Sequence, residues 1–581
     1  MIQNYFADRP DIDFPSFPAW FEHGVAAWKD RTALRYRRVG EPRFSEWTYG
    51  DLDRRVRRLA GFLASRGLKA GDRVALWSEN RLEWCAGWLS AVLGGFVVVP
   101  IDVVAGAAEA CNIVNMAGAV AWMVSLKRAA DSDLAAACPG VATFLSFDDE
   151  GPRGEKWFSF SGIQADASVP PMASFPRIPP EGPASIIFTS GTTGMAKGVT
   201  LSHHGIIANV NASIMSLPIY DWDVFMSVLP LHHTYPTTCA FISPLSVGAS
   251  VTLCEKLVGK VILDDARDSG GTILIAVPLL YDKVMNALEH GFKSQKQPVR
   301  SLLRALMAVS RFMIRTFDAR WFGKAFLKGI RKKAGLSTLR LLVAGGGPLN
   351  PKTGSFFEML GFCIVQGYGM SENGPLITTN TMKYRDNESV GLVVKYTQLK
   401  ILNPNEEGVG EIAVKSPSLM LGYFGNPEAT AQVFTEDGWL KTGDMGRVDG
   451  KGFVHITGRI KSILVSGGGK NIYPEEIEQR FEGSRTILEL LVVGRRKPGS
   501  LADEIVAVAV PHLEALAQDN PGVELTDAFL LSKIKDEVYA VNRQLPSYKK
   551  VMDVLLRREE FEKTSSKKIR RYLYKDLANP N

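Results

Sequence analysis

Residues 185–199 read "SIIFTSGTTGMAKGV". An apolar, strand-like run ends at Phe188. Thr189, Ser190, Gly191, Thr192, Thr193 and Gly194 follow, with Lys197 and Gly198 just beyond. Hydroxyls and backbone N–H groups in a glycine-permitted loop can cradle phosphate oxygens, and a lysine adds a point charge. The GxxxxGK[ST] spacing of a P-loop is absent. A polar turn after a strand is the plainer alternative, but this density of Ser, Thr and Gly beside a lysine points to a phosphate site.

Similar Val- and Ile-rich runs recur at 73–78, 96–100, 224–230, 250–254, 272–278, 339–346 and 362–369. Helical patterns such as "LDRRVRRLAGFLASRG" (52–67) lie between them. Buried strands alternating with helices predict a mostly parallel sheet in an α/β architecture. Ligands of such sheets sit beyond the carboxyl ends of the strands. After about Gly391 the runs shorten and are punctuated by Gly and Asp, which suggests smaller sheets. From Asn471 onward the pattern is helix, strands and helix, enough for a small α+β domain.

Composition narrows the class. With 46% hydrophobic and 22% charged residues, the chain is an ordinary globular one. Net charge is +7, but residues 291–333 hold twelve Lys/Arg against one acid, Asp318, so the rest of the chain carries 7 − 11 = −4. Nucleic-acid binding by the whole protein is therefore not expected. The six cysteines form no CxxC pair, which fits a reduced, intracellular protein without structural zinc. "MIQNYFADRPDIDF" lacks the basic start and apolar core of a signal peptide. Residues 84–101 carry no charge but contain Gly87, Gly94, Gly95 and Pro100, which predicts helix, turn and buried strand rather than a membrane span.

From the phosphate loop outward the chain resembles the adenylate-forming superfamily of acyl-CoA synthetases, peptide-synthetase adenylation domains and luciferases. "TSGTTGMAKGV" looks like that family's phosphate loop, with Ala196 where proline is usual. Further motifs follow in the family's order. "QGYGMSENGP" (366–375) implies a nucleotide site of Gly367, Tyr368, Gly369, Met370 and Ser371, with Tyr368 stacked on adenine and Glu372 holding Mg²⁺. "VAGGGPL" (343–349) resembles the loop that walls the adenine and acyl pockets, through Gly346, Gly347 and Pro348. "LPLHHTYP" (229–236) puts His233 where the family has a histidine near the carboxylate; a His pair alone is more often structural.

The resemblance continues toward the C-terminus. "GWLKTGDMG" places Asp444 on the ribose hydroxyls, and Arg459 matches an arginine contacting ribose or phosphate. Outside that series the two would read as a surface pair. Lys461 falls at the interdomain hinge, and Gly467, Gly468 and Gly469 look like the loop lining the thiol tunnel. The family's T-P-x-G-K-I ending aligns with "TSSKKI", which puts the catalytic lysine on Lys568 and leaves Lys567 as its rival. Glu562, Lys563, Arg570 and Arg571 around it read as a solvated tail.

The resemblance implies a large N-terminal α/β domain (1–460) with mostly parallel sheets and a β-rich subdomain, and a small mobile C-terminal α+β domain (461–581). It implies ATP, Mg²⁺ and coenzyme A as cofactor and co-substrates, and a carboxylate converted first to acyl-AMP and then to a thioester. Catalytic roles then fall on Lys197, His233, Glu372 and Lys568. A medium- to long-chain fatty acid is the expected substrate. An acyl carrier protein as acceptor, an aryl acid as substrate, and a catalytically silent lipid-binding protein are the rival readings.

Residues 291–335 carry two readings. Leu302, Leu306, Val309, Met313 and Phe317 fall on one helical stripe and Arg304, Arg311 and Arg315 on another. Such a segment suits an anionic membrane surface, giving a cytoplasmic protein peripheral on the inner membrane face. Equally it suits a helical hairpin packed on the body with its basic residues in water.

Overall fold

A computed structural model describes residues 16–129, 133–150, 154–189, 196–317, 319–465, 471–496, 503–563, 569–574 and 577–578. The chain divides into two compact units. One comprises residues 1–398 and 414–440; the other comprises 399–413 and 441–581.

Two large sheets build the first unit. Among the described residues, one has nine strands, in the order Leu392–Val393, Leu376–Thr379, Cys363–Gly369, Leu341–Ala344, Ile273–Ala276, Val224–Ser227, Ser250–Cys254, Thr32–Arg37 and Ser45–Thr48. Its six central strands, from Cys363–Gly369 to Thr32–Arg37, run parallel. The second sheet has eight strands and a parallel middle, and includes Pro183–Thr189 and its antiparallel neighbour Lys197–Ser202. The apolar runs read from the sequence all become strands of these two sheets.

Period-two alternation decides what each face of the nine-stranded sheet does. Met226, Leu274, Leu342 and Ile364 enter a core closed by Leu280, Tyr281, Phe356 and Phe357. Phe225, Ile273, Ile275, Leu341 and Val343 face the other side, toward the helix His203–Ser216 and the π-helix Pro236–Ile242. At the amino ends of two of these strands, Arg340 Nε donates to Asp223 Oδ1 at 2.8 Å, and the Asp223 side chain is fully buried. Deleting one partner of such a pair costs about 3–5 kcal/mol. That end of the sheet is structural; the opposite end carries the motif loops.

Residues 84–101 fold as expected: helix Leu82–Leu93, a turn, then the buried strand Val97–Pro100. No helix of the described residues is long and apolar enough to cross a membrane.

The second unit contains most of a four-stranded sheet, Gln398–Leu402, Gly410–Lys415, Leu440–Val448 and Val454–Arg459. It also contains a three-stranded sheet, Ile487–Arg496, Asp503–Pro511 and Asp553–Leu556, packed against the helix Asp527–Asn542. The α+β pattern read from Asn471 onward is present.

Candidate active site

Residues 185–189 and 197–199 of the opening stretch lie in neighbouring strands. Strands Pro183–Thr189 and Lys197–Ser202 pair antiparallel, with Thr189 opposite Lys197. The loop residues Ser190, Gly191, Thr192, Thr193 and Gly194 lie outside the described residues. Lys197 is half-buried, and its Nζ stands 4.8 Å from the ring centroid of Tyr423.

Tyr423 joins that strand pair to the next motif. It sits on the short strand Gly422–Tyr423, opposite Val199, and its hydroxyl donates to Glu372 Oε1 at 2.9 Å. Burial raises the tyrosine's pKa, and the Glu372 carboxylate raises it further, so Tyr423 stays a protonated donor. Nothing in the sequence reading singled out Tyr423. Its only signal is an aromatic residue in "LGYFGNP", where Gly422 and Gly425 flank it.

Glu372 belongs to the short 3₁₀ turn Ser371–Asn373, which follows the strand carrying Gly367, Tyr368 and Gly369. Tyr368 and Met370 are half-buried and Gly369 is exposed. The turn is held from several sides. Met420 N donates to Glu372 O, Asn209 Nδ2 to Asn373 O, and Thr238 Oγ1 to Gly374 O, at 2.8, 3.0 and 3.0 Å. Thr234 Oγ1 donates to Ser371 Oγ at 3.0 Å, tying the "LPLHHTYP" loop to it.

In that loop His232 is buried, with Nε2 3.2 Å from Asp102 Oδ1. His233 is half-buried, its ring centroid 4.1 Å from that of His232. Tyr235 reaches the glycine loop after strand Leu341–Ala344. A Cβ on Gly345 would lie 2.6 Å from Tyr235 Cζ, so only glycine permits this approach. Gly346 has φ +82°, which again favours glycine. Gly347 and Pro348 continue the loop into the helix Pro351–Met359, capped by the Asn350 side chain.

A continuous path of contacts therefore runs Gly345, Tyr235, Thr234, Ser371, Glu372, Tyr423, Lys197. It joins four motifs that are far apart in sequence. Beside it lies a narrow cavity of about 40 Å³. Phe225, Ile273, Ile275, Leu341, Val343, Leu217, Ile219 and Leu376 make most of its wall apolar. Tyr235 and Gly367 belong both to the motif loops and to this wall. The Tyr235 hydroxyl is buried and has no hydrogen-bond partner among the described residues.

In the second unit, Asp444 and Arg459 are opposite residues of one antiparallel ladder. Arg459 Nε donates to Asp444 Oδ1 at 3.0 Å. Asp444 is nearly buried and Arg459 about half exposed. Lys461 is exposed, in the 3₁₀ turn Ile460–Ser462. Gly467, Gly468, Gly469, Lys567 and Lys568 lie outside the described residues.

The reading of a solvated tail is overturned at Lys563 and Arg571, while the Glu562 side chain is exposed as expected. Lys563 and Ile569 form an antiparallel bridge. Lys563 pairs with Glu489, whose side chain is nearly buried, and Arg571 pairs with Glu478. The Glu562 N–H donates to the Tyr574 hydroxyl at 2.7 Å, and Tyr574 packs edge-on against Phe561. The partners lie 74 and 93 residues back along the chain, at Glu489 and Glu478, so local composition could not reveal them.

Burial is the largest influence on the Glu478 carboxyl and pushes it from 4.5 up to about 7, against the opposing pull of Arg571 and the Val492 N–H. An acid whose folded value exceeds its unfolded value binds more protons when folded. Its contribution to stability is therefore lost as pH rises from about 4.5 through about 7. Thermal unfolding of Glu478→Gln is expected to lack that part of the slope; an unchanged slope would assign the titration elsewhere.

Comparison with known proteins agrees with the geometry. Residues 21–424 match the AMP-binding enzyme family. The chain is 28% identical over 483 residues to a long-chain-fatty-acid–CoA ligase, FadD15, of Mycobacterium bovis, covering 80% of this chain and 78% of that one. It is 28% identical over 565 residues to long-chain-fatty-acid–CoA ligase 5 of Rattus norvegicus, covering 89% and 77%. Feruloyl-CoA synthase of Amycolatopsis is 27% identical over 471 residues, covering 80% and 84%. Among solved structures, the anthranilate CoA ligase AuaEII with anthranoyl-AMP shares the fold at a TM-score of 0.77 and 20% identity, over 98% of both chains.

Proposed function

Because the chain belongs to the family of AMP-binding enzymes, adenylate-forming acid–thiol ligases, we propose that it activates a medium- to long-chain fatty acid with ATP and passes the acyl group to coenzyme A. The observation that carries this reading is the contact path from Gly345 to Lys197 beside an apolar cavity. A path of charge-handling groups that meets an apolar cavity at Tyr235 suits an acid with a hydrocarbon tail.

In the first step a carboxylate oxygen attacks the α-phosphorus of ATP, the bond to pyrophosphate breaks, and acyl-AMP forms. In the second a thiolate attacks the acyl carbon, the bond to AMP breaks, and the thioester leaves. Lys197 and the hydroxyls of 189–193 would bind phosphate oxygens, and Tyr368 would support adenine between Gly367 and Met370. Asp444 would accept from the ribose hydroxyls, with Arg459 beside it. His233 would face the carboxylate, and Lys568 would bridge it to the α-phosphate. These groups act by alignment and charge neutralisation.

Glu372 fits a magnesium ligand. Tyr423 holds one carboxylate oxygen, and the other has no hydrogen-bond partner among the described residues. A hard oxygen donor of this kind suits the ion, which when bound would offset phosphate charge. Residues 461–581 would swing about Lys461 between the steps, bringing Gly467, Gly468 and Gly469 to the thiol.

The cavity makes chain length testable. Val343→Phe fills part of it and is expected to lower kcat/KM for palmitate by more than about tenfold while octanoate is nearly unaffected. Equal losses for both acids would place the acyl chain elsewhere. The partnerless Tyr235 hydroxyl in the cavity wall favours a second reading, an aryl acid with a polar ring substituent. A panel of fatty and aryl acids, scored by pyrophosphate release and repeated with free CoA and with holo acyl carrier protein, separates these substrates and acceptors. Release that is strongest with ferulate or anthranilate would displace the fatty acid. Thioester formation only on carrier protein would displace CoA.

A further inference from the structure

We propose that the exposed face of the helices Gln297–Phe317, Trp321–Phe326 and Lys328–Lys333 docks on an anionic lipid bilayer, with aromatic side chains entering the interface and basic ones meeting headgroup phosphates. The longest helix has an inner face: Leu306 and Met307 pack against the body, and Ser310 Oγ donates to Met359 O at 2.7 Å. The single apolar stripe expected from the sequence is thus split. Leu306 and Met313 are half-buried, while Leu302, Val309 and Phe317 are exposed.

The outer face is unusual for a surface in water. Phe312, Phe317, Trp321 and Phe326 have relative exposures of 60%, 64%, 61% and 57%. Phe312 and Phe317 meet edge to face, and Phe322 stacks on Phe326 at 4.4 Å. These contacts form two aromatic groups on the outer helices, Phe312 with Phe317 and Phe322 with Trp321 and Phe326.

Charge selects the partner. Among the described residues, two basic side chains of 291–333 are engaged by the body: Arg320 with Glu358, and Arg331 with the carbonyls of Gly361 and Leu339. Arg311, Arg315, Lys324, Lys328, Lys332 and Lys333 are exposed and have no ion-pair partner among the described residues. Exposed Trp and Phe interleaved with unpaired cations match a bilayer interface, where rings sit at headgroup depth and lysines reach phosphate. A nucleic acid or an acidic protein would use the charges but leave four large rings in water. No helix of the described residues can span the membrane, so the contact is peripheral.

The test is co-sedimentation of the full chain with phosphatidylcholine vesicles, with and without phosphatidylglycerol. The wild type is expected to partition at least tenfold more strongly when phosphatidylglycerol is present. Lys324→Glu with Lys328→Glu, and separately Phe317→Ala with Trp321→Ala, are each expected to lower that partitioning by about tenfold. Octanoate turnover without vesicles should stay at the wild-type level in both variants, which shows that they fold. Equal binding to both vesicle types overturns the proposal. So does wild-type binding by the aromatic variant, because the surface would then be merely electrostatic. Vesicle binding needs no turnover, so its failure leaves the ligase reading untouched.

Discussion

Lys568→Ala is expected to slow acyl-AMP formation by about 10²–10³-fold, the usual effect of removing one preorganised charge from a transition state. Thioester formation from supplied acyl-AMP should change only slightly. Lys567→Ala should leave both half-reactions near the wild-type rate. Lys568 and Lys567 lie outside the described residues, but the chain on either side of them is tied down. Lys563 pairs with Glu489, Arg571 with Glu478, and Lys563 bridges to Ile569. ATP–pyrophosphate exchange measures the first half-reaction and release of AMP from acyl-AMP measures the second. A larger exchange defect in Lys567→Ala would shift the register by one residue. Equal defects in both half-reactions would deny the lysine a role confined to adenylation.

Glu372→Gln should have a comparable effect, also about 10²–10³-fold on adenylation, because the amide keeps the shape but loses the charge. Tyr423→Phe removes only the hydroxyl that orients Glu372 and should cost less. Its signature is a several-fold rise in the magnesium concentration giving half-maximal exchange, with the rate at saturating magnesium largely restored. Glu372→Asp should recover part of the activity lost in Glu372→Gln. If Glu372→Gln keeps wild-type exchange and magnesium dependence, the carboxylate is structural and the path through Tyr423 has another purpose.

Much of this site is legible in the sequence because its parts are local. Strand, loop and lysine at 185–199 lie within fifteen residues, and the run at 362–369 ends directly in its motif. What is lost is whatever depends on distant partners. Tyr423 matters because its strand lies beside Val199 and its hydroxyl meets Glu372, and neither relation leaves a local trace. Lys563 and Arg571 look like solvated charges until Glu489 and Glu478 are found beside them. The π-helix Pro236–Ile242, which helps wall the cavity, has no periodicity of its own to betray it. The strand Thr32–Arg37 and its edge neighbour Ser45–Thr48 leave no apolar run in the sequence, because their polar residues hide the alternation. The helix at 297–317 shows the same limit from the other side, since a wide apolar arc does not say which part meets the body.

The central claim, that the path from Gly345 to Lys197 activates a hydrocarbon-tailed carboxylate, is tested most directly by pyrophosphate release from ATP with palmitate as the only acid. Release that requires palmitate, together with palmitoyl thioester once coenzyme A is added, is the predicted result. ATP left intact in the presence of palmitate and the other acids of the panel would contradict it.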